Sequence, residues 1–357
     1  MSTLKVDSIE NSGSAVNFTT NVQAGDGFAK REYTSSATAP AGAGNGALWW
    51  DTGNGVLKIN INGLWYEVSA TPPPANLGDR GVFHSGDFAS LSYVSIPTTG
   101  NASSFGTLPA SASLSAACSN GSIGLFGGGY SGTYSNTINK VTISTPANAV
   151  DFGDLTVARF GASSVSDGVF GLWASGEMSG GYSNVIDYVT IATPSNATDF
   201  GDAINNFTAG GAGVSNLVYG VFGGGNRNGG SNLIEYVTIA TPGNGTDFGD
   251  LSVARGRFGA FSDYTYGVWG GGTGDSNVID YVTIATPGNA TDFGDLTVGR
   301  DETAGCSNAT RGVFVGGTIS FVTNNTMDYV TIATPSNATD FGDLTSADHR
   351  MSGCSGN

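Results

Sequence analysis

The stretch YVTIAT, with small variations, returns six times, and its spacing constrains the fold more than any other feature of the chain. Its valine falls at Val94, Val141, Val189, Val237, Val282 and Val330, in steps of 47, 48, 48, 45 and 48 residues. A second column keeps the same steps: Phe105, Phe152, Phe200, Phe248, Phe293 and Phe341. Every one of these phenylalanines except the first sits in the tetrapeptide DFGD. A fixed period of this size marks a repeat architecture. Each copy is then one supersecondary unit that buries its apolar face against its neighbours.

Each copy carries four strand signals. In the copy around Val282 these are AFSD at Phe261, YGVWGGG from Tyr266, VIDYVTIAT from Val278 and TDFGDLTVGR from Thr291. Gly, Pro, Asn and Asp punctuate them, and long apolar patterns at helical spacing are nearly absent. Four antiparallel strands per unit predict the blade of a β-propeller. The array starts at Arg80 with second-strand material and ends, in HRMSGCSGN, with first-strand material. We therefore expect an all-β, six-bladed propeller over 80–357, with the C-terminal strand completing the blade opened at Arg80 and leaving no free sheet edge at the seam.

Residues 1–70 lie outside the repeat and read as a small β-rich region, followed by a Pro-rich linker at 71–79. GALWWDTGNGVLKININGLWYEVSA, from Gly46 to Ala70, predicts three short strands turning at Gly53-Asn54-Gly55 and Asn62-Gly63. STLKVDSI reads as a strand arm. Trp49, Trp50 and Trp65 supply more apolar area than so small a sheet can bury, so packing on another chain is expected.

Charge narrows the partners. The chain has 29 acidic and 13 basic residues, a net −16, with only 12% charged. That argues against nucleic acid and against docking on an anionic membrane. No apolar run is long enough to span a bilayer, and the start has no signal-peptide core.

The recurrent motifs read as scaffold. DFG resembles the magnesium aspartate of kinases, but no HRD-type loop accompanies it, and no enzyme needs five copies. Its paired aspartates lack the ligand density of a calcium loop. The expectation is that Phe packs between blades while Asp and Gly shape the start of the fourth strand. Gly-Gly-Gly after the second strand is not followed by a helix or Lys-Ser/Thr, so it reads as a tight exit from the strand. Cys118, Cys306 and Cys354 share one column with Val165, Val214 and Phe261, and are expected to be buried free thiols. His84 and His349 both fall beside the seam. The N-x-T triplets at Asn196, Asn244, Asn289 and Asn337 read as turns. No catalytic constellation stands out, and neither a metal nor a cofactor is expected.

Recognition is expected on one face. The second-to-third and fourth-to-first connections share it, and they vary between copies, whereas the opposite turns repeat. Variable loops on a rigid scaffold are where binding concentrates. Tyr130, Tyr134, Phe160, Trp173, Tyr182, Phe207, Arg227, Arg257 and Phe258 gather there, a mixture suited to sugars or protein loops.

Two resemblances accompany these motifs. GVFGGG at 220–225, IDYVTIAT at 186–193 and DFGDLTVAR at 151–159 resemble kelch repeats, with Phe where kelch units carry Trp. LKVDSI, ALWWDT…VLKI…WYEV and the YVTIAT…NATDFGDLTVAR unit resemble parts of tailed-phage fibre and related virion proteins, marine phages above all. This second resemblance implies a non-enzymatic tail-fibre-type component located in the virion and assembled in the host cytoplasm. Its N-terminal region would dock on other virion proteins, and its propeller would bind a host surface glycan or protein. It also implies a homo-oligomer, a trimer among the arrangements that fit. The alternative is a structural or decoration protein whose propeller touches only virion subunits. A glycan-cleaving propeller is the third reading.

Overall fold

A computed structural model describes residues 78–204, 210–225 and 230–357 in full, and the backbone of six strands within residues 1–77. The chain divides into two compact units, Met1–Pro72 and Pro73–Asn357. In the first, Leu48–Asp51, Val56–Ile61 and Leu64–Val68 form an antiparallel sheet that Thr34–Ser36 extends in parallel, and Ser8–Asn11 pairs with Val16–Thr19. The side chains of Trp49, Trp50 and Trp65 lie outside the described residues.

The second unit is a ring of six blades, with no helix among the described residues. Blades 2 to 6 span 116–154, 163–202, 212–255, 259–295 and 304–348. Blade 1 joins residues 80–107 to the strand Ser352–Gly356, which pairs antiparallel with Arg80–His84. The strands nearest the axis are Ser352–Gly356, Ala116–Ser119, Ser163–Ser166, Ala212–Ser215, Gly259–Ser262 and Ala304–Ser307.

The DFGD motif shapes each blade's outer edge. In blade 3, Ile186 pairs with Gly201 and Asp187 with Asp199, so Phe200 is the extra residue of a β-bulge. A bulge leaves one residue unpaired and re-aims it. Phe200 accordingly turns into the core, 4% exposed, with its ring edge against Tyr188. The adjacent Gly201 has φ +146, and a Cβ there would stand 2.5 Å from the carbonyl oxygen of Gly243 in blade 4. The motif is glycine because the next blade's turn lies against it.

That turn also explains the N-x-T triplets. Asn196 Oδ1 accepts from Asp154 N at 3.1 Å, and Ala197 N donates to Asp154 O at 2.7 Å, both across a blade boundary. Asn244, Asn289 and Asn337 repeat the clamp on Asp202, Asp250 and Asp295, and Asn101 and Asn148 do so on Asp343 and Thr107. Asn196→Ala is expected to lower stability by about 1 kcal/mol. The check is a shift in denaturant midpoint with the slope unchanged.

Six strands converge on the axis only if their inward residues are small. Ala117, Ser164, Gly213, Ala260, Gly305 and Gly353 occupy that column. Two residues on, a column of serines forms a girdle. Ser119 Oγ donates to Ser355 O (2.6 Å), Ser215 to Ser166 O (2.7 Å), Ser262 to Ser215 O (3.0 Å) and Ser307 to Ser262 O (2.8 Å). Between these columns, Cys118, Cys306 and Cys354 are buried free thiols. Each packs on a second-strand glycine of the next blade: Cys118 on Gly171, Cys306 on Gly81 and Cys354 on Gly124.

Among the described residues, three blade boundaries also bury an ion pair. Arg159 meets Asp187 at 2.8 Å, Arg255 meets Asp280 at 2.6 Å and Arg300 meets Asp328 at 2.6 Å, with side chains at most 1% exposed. Each arginine ends the LTVAR-like run of one blade, and each aspartate stands in the IDYVT-like run of the next. Guanidinium hydrogen bonds to carbonyls add to the pairing, as from Arg159 Nη2 to Trp173 O at 2.9 Å. Burial of a charge requires such pairing.

Candidate functional site

The face carrying the variable loops is built around the mouth of the axial cavity. Each fourth-to-first crossover places one residue in the left-handed region: Leu114, Gly161, Gly210, Arg257, Glu302 and Arg350, with φ between 55° and 100°. Backbone hydrogen bonds join them into a ring. Leu114 N donates to Arg350 O (3.1 Å), Gly161 N to Leu114 O (2.8 Å), Gly210 N to Gly161 O (3.0 Å) and Arg257 N to Gly210 O (2.6 Å). Thr303 N to Arg257 O (3.2 Å) and Arg350 N to Glu302 O (3.3 Å) complete it. Glycine fits this conformation without strain, and four other residues adopt it because the ring fixes their backbone. Beneath lies a cavity of about 110 Å³ lined by residues of all six inner strands and of the crossovers that lead into them, among them Ser115, Ser163, Thr303 and Ser352.

Half of the mouth is charged. Glu302 is approached by Arg350 Nε at 3.2 Å, Arg257 Nη1 at 3.6 Å and His349 Nε2 at 3.6 Å. Asp301 lies 3.4 Å from Arg257, and burial pushes its carboxyl above the usual range while that guanidinium opposes the shift. Asp87 faces His349 at 3.6 Å and Arg350 at 3.9 Å. Crossovers from three different blade junctions thus meet in one network, which supports it beyond the weak value of an isolated surface pair.

The other half is aromatic. The rings of Tyr130, Tyr134 and Phe160 form a triangle, with centroids 5.4 to 5.7 Å apart, and Tyr134 lies nearly parallel to Phe160. Tyr134 Oη donates to Glu177 Oε1 at 3.3 Å. Backbone bonds pair Tyr130 with Ser113 and Phe160 with Glu177, so loops of blades 2 and 3 hold the cluster in place. Tyr130 is 40% exposed and Tyr182 is 37% exposed.

The blade 6 loop contributes a feature absent from our sequence reading. Thr318–Ile319 folds back on Val322–Thr331 as a two-residue hairpin whose tip, Ser320-Phe321, has φ of 49° and 66°. Phe321 is 97% exposed and Val322 68% exposed. Ser320 N donates to Asp275 Oδ2 of the blade 5 loop at 2.8 Å, which stiffens the tip.

Two of the expected face residues do not reach the surface. Trp173 is fully buried, its indole Nε1 donating to Ala116 O at 3.1 Å and its ring packed on Gly127 of blade 2. Trp269 does the same against Ala212 O and Gly223. Phe258 is 4% exposed, tucked under Gly224 with the Arg255 guanidinium over its ring. Tyr130, Tyr134, Phe160, Tyr182 and Arg257 are brought to the face. Phe207 and Arg227 lie outside the described residues.

The histidines do different things. His84 is buried, with Nε2 3.0 Å from Phe88 O and Nδ1 3.1 Å from Ser115 Oγ. A carbonyl only accepts, so Nε2 carries the proton and Ser115 donates to Nδ1. Ser352 Oγ lies 2.9 Å from Ser115 Oγ. Burial lowers the imidazole to about 4, the Phe88 carbonyl opposing. So weak a base works against activating the serine near neutral pH. His349 instead joins the charged network. Among the described residues, no group of three or more His, Cys, Asp or Glu side chains is placed to hold a metal ion.

Comparison with known proteins yields no matching family model and no matching curated protein.

Proposed function

We propose that the chain is a non-enzymatic virion protein of tail-fibre type. Its propeller is of kelch-like architecture, with the Ser352–Gly356 pairing as the closure of the ring. Residues 1–70 dock it on other virion proteins, and the variable-loop face binds a host-surface glycan or protein. The observation that carries this reading is the Ser320-Phe321 tip. A left-handed backbone costs a bulky residue about 1–2 kcal/mol. Two-residue hairpins of this kind favour Asn-Gly or Gly-containing tips. Blade 3 has a comparable hairpin, Glu177–Met178 against Gly181–Tyr182, and turns it with glycine, Gly180 having φ +90. Blade 6 accepts the cost and leaves the aromatic ring in solvent, where an intermolecular contact can use it.

Phe321→Gly tests this in two readouts. The variant is expected to be as stable as the parent or up to about 1 kcal/mol more stable by denaturant titration, because the strain is relieved. Adsorption of the purified full chain to bacterial cells is expected to fall at least tenfold. Undiminished adsorption would remove Phe321 from the binding face. Absence of adsorption by the parent chain to any cell tested, with the loop face buried in the intact particle, would favour the structural or decoration role instead.

A further inference from the structure

The buried arginine–aspartate pairs occupy three boundaries, and each of the other three departs from the pair in its own way. Between blades 1 and 2 both charges are replaced together, with Ala112 in the arginine column and Asn139 in the aspartate column. Between blades 6 and 1 a buried acid, Asp348, stands in the arginine column opposite Ser92, and it accepts from Ser85 Oγ and His349 N. Between blades 3 and 4 the arginine column holds Phe207, yet the acid is kept as Glu235.

Glu235 lies on the third strand of blade 4, Ser231–Thr238, and is 1% exposed. Its Oε2 accepts from Ile204 N of blade 3 at 2.6 Å, as Asp187 accepts from Thr156 N. On the flanking strands its partners are Phe222 and Asp247, and Gly245 packs against the carboxyl. Asp247 and, across the boundary, Asp202 are exposed. None of the ion pairs among the described residues includes Glu235.

We propose that Glu235 makes the boundary between blades 3 and 4 a proton-operated catch, closed while the carboxyl is protonated and the first boundary of the ring to open once it ionises. The buried neutral acid needs no cation, whereas a buried carboxylate here has, among the described residues, a single N–H for company. Burial indeed raises this carboxyl from 4.5 to about 7, the Ile204 N–H opposing. The folded state therefore favours the protonated form. Its contribution is complete below 4.5, where the unfolded chain's carboxyl titrates, and is lost as pH rises through about 7.

The test uses the full chain, its Glu235→Gln variant and its Phe207→Arg variant, by urea unfolding from pH 5 to 8 and by hydrogen exchange corrected for intrinsic rates. The parent's unfolding constant is expected to rise roughly fifty- to a hundredfold relative to that of Glu235→Gln across this range. Other groups with shifted titration, such as His84, Asp301 and Asp348, are common to both and cancel. Residues 231–238 are expected to lose protection at pH 8 before residues 278–283 of blade 5. Phe207→Arg restores the residue type that the arginine column carries at the three paired boundaries and is expected to abolish or reverse the pH slope. Parallel profiles for parent and Glu235→Gln would overturn the proposal, as would loss of protection spread evenly over the ring. If Glu235→Gln does not fold, an unchanged slope in Phe207→Arg overturns it instead.

Discussion

Replacing Arg300 by methionine is expected to lower the stability of the ring by about 3–5 kcal/mol, the cost of leaving a buried carboxylate without its cation. Asp328 is fully buried beside it, and its other contacts, such as that from Thr297 Oγ1, are too few to solvate a full charge. Adding Asp328→Asn to Arg300→Met is expected to recover at least half of the loss. The chain itself supplies the precedent, since the boundary between blades 1 and 2 does without the pair through Ala112 and Asn139. Urea titrations of the two variants and of Asp328→Asn alone complete a double-mutant cycle. If the double variant were as unstable as the more damaging single change, the pair would be holding geometry rather than neutralising charge.

A still larger effect is expected from ending the chain before Ser352. The removed strand pairs five residues with Arg80–His84 and buries Cys354 against Gly124. At about 1 kcal/mol net per hydrogen bond and about 2 kcal/mol for a buried apolar side chain, the loss exceeds about 5 kcal/mol. That is comparable to the entire stability of an ordinary domain. The truncated chain also exposes Val82 and Phe83 on an unpaired edge. Loss of the cooperative transition, with aggregation in sedimentation velocity, is the expected result. A soluble truncated ring with a sharp transition would show that the pairing is dispensable, and with it the proposed closure.

Blade number and strand order were legible because two columns hold one register, and in a propeller register is architecture. The buried arginines were legible in principle and were not read. Their signal is joint occurrence, Arg159 with Asp187 and Ala112 with Asn139, between residues in different copies. A search within one copy cannot see it. Trp173 was misplaced on the face because it precedes a variable loop. Its column also holds Phe83, Phe126, Phe222, Trp269 and Phe314, and a column filled by large aromatics throughout belongs to the packing. Phe258 had no such warning; only the folded ring shows Gly224 lying over it. Phe321 escaped notice for the opposite reason, because exposure depends on how its loop folds back, which composition does not encode.

The two ends of the ring meet. Asp79 N donates to the side-chain oxygen of Asn357 at 2.9 Å, beside the start of Arg80–His84. Arg80–His84 is flanked on one side by Ser352–Gly356 and on the other by Ser90–Ser95. Tension arriving through residue 79 therefore pulls this strand lengthwise between two ladders, so their hydrogen bonds are loaded together and not peeled one by one. A strand held in this way resists a lengthwise pull more than an edge strand whose bonds can open in turn.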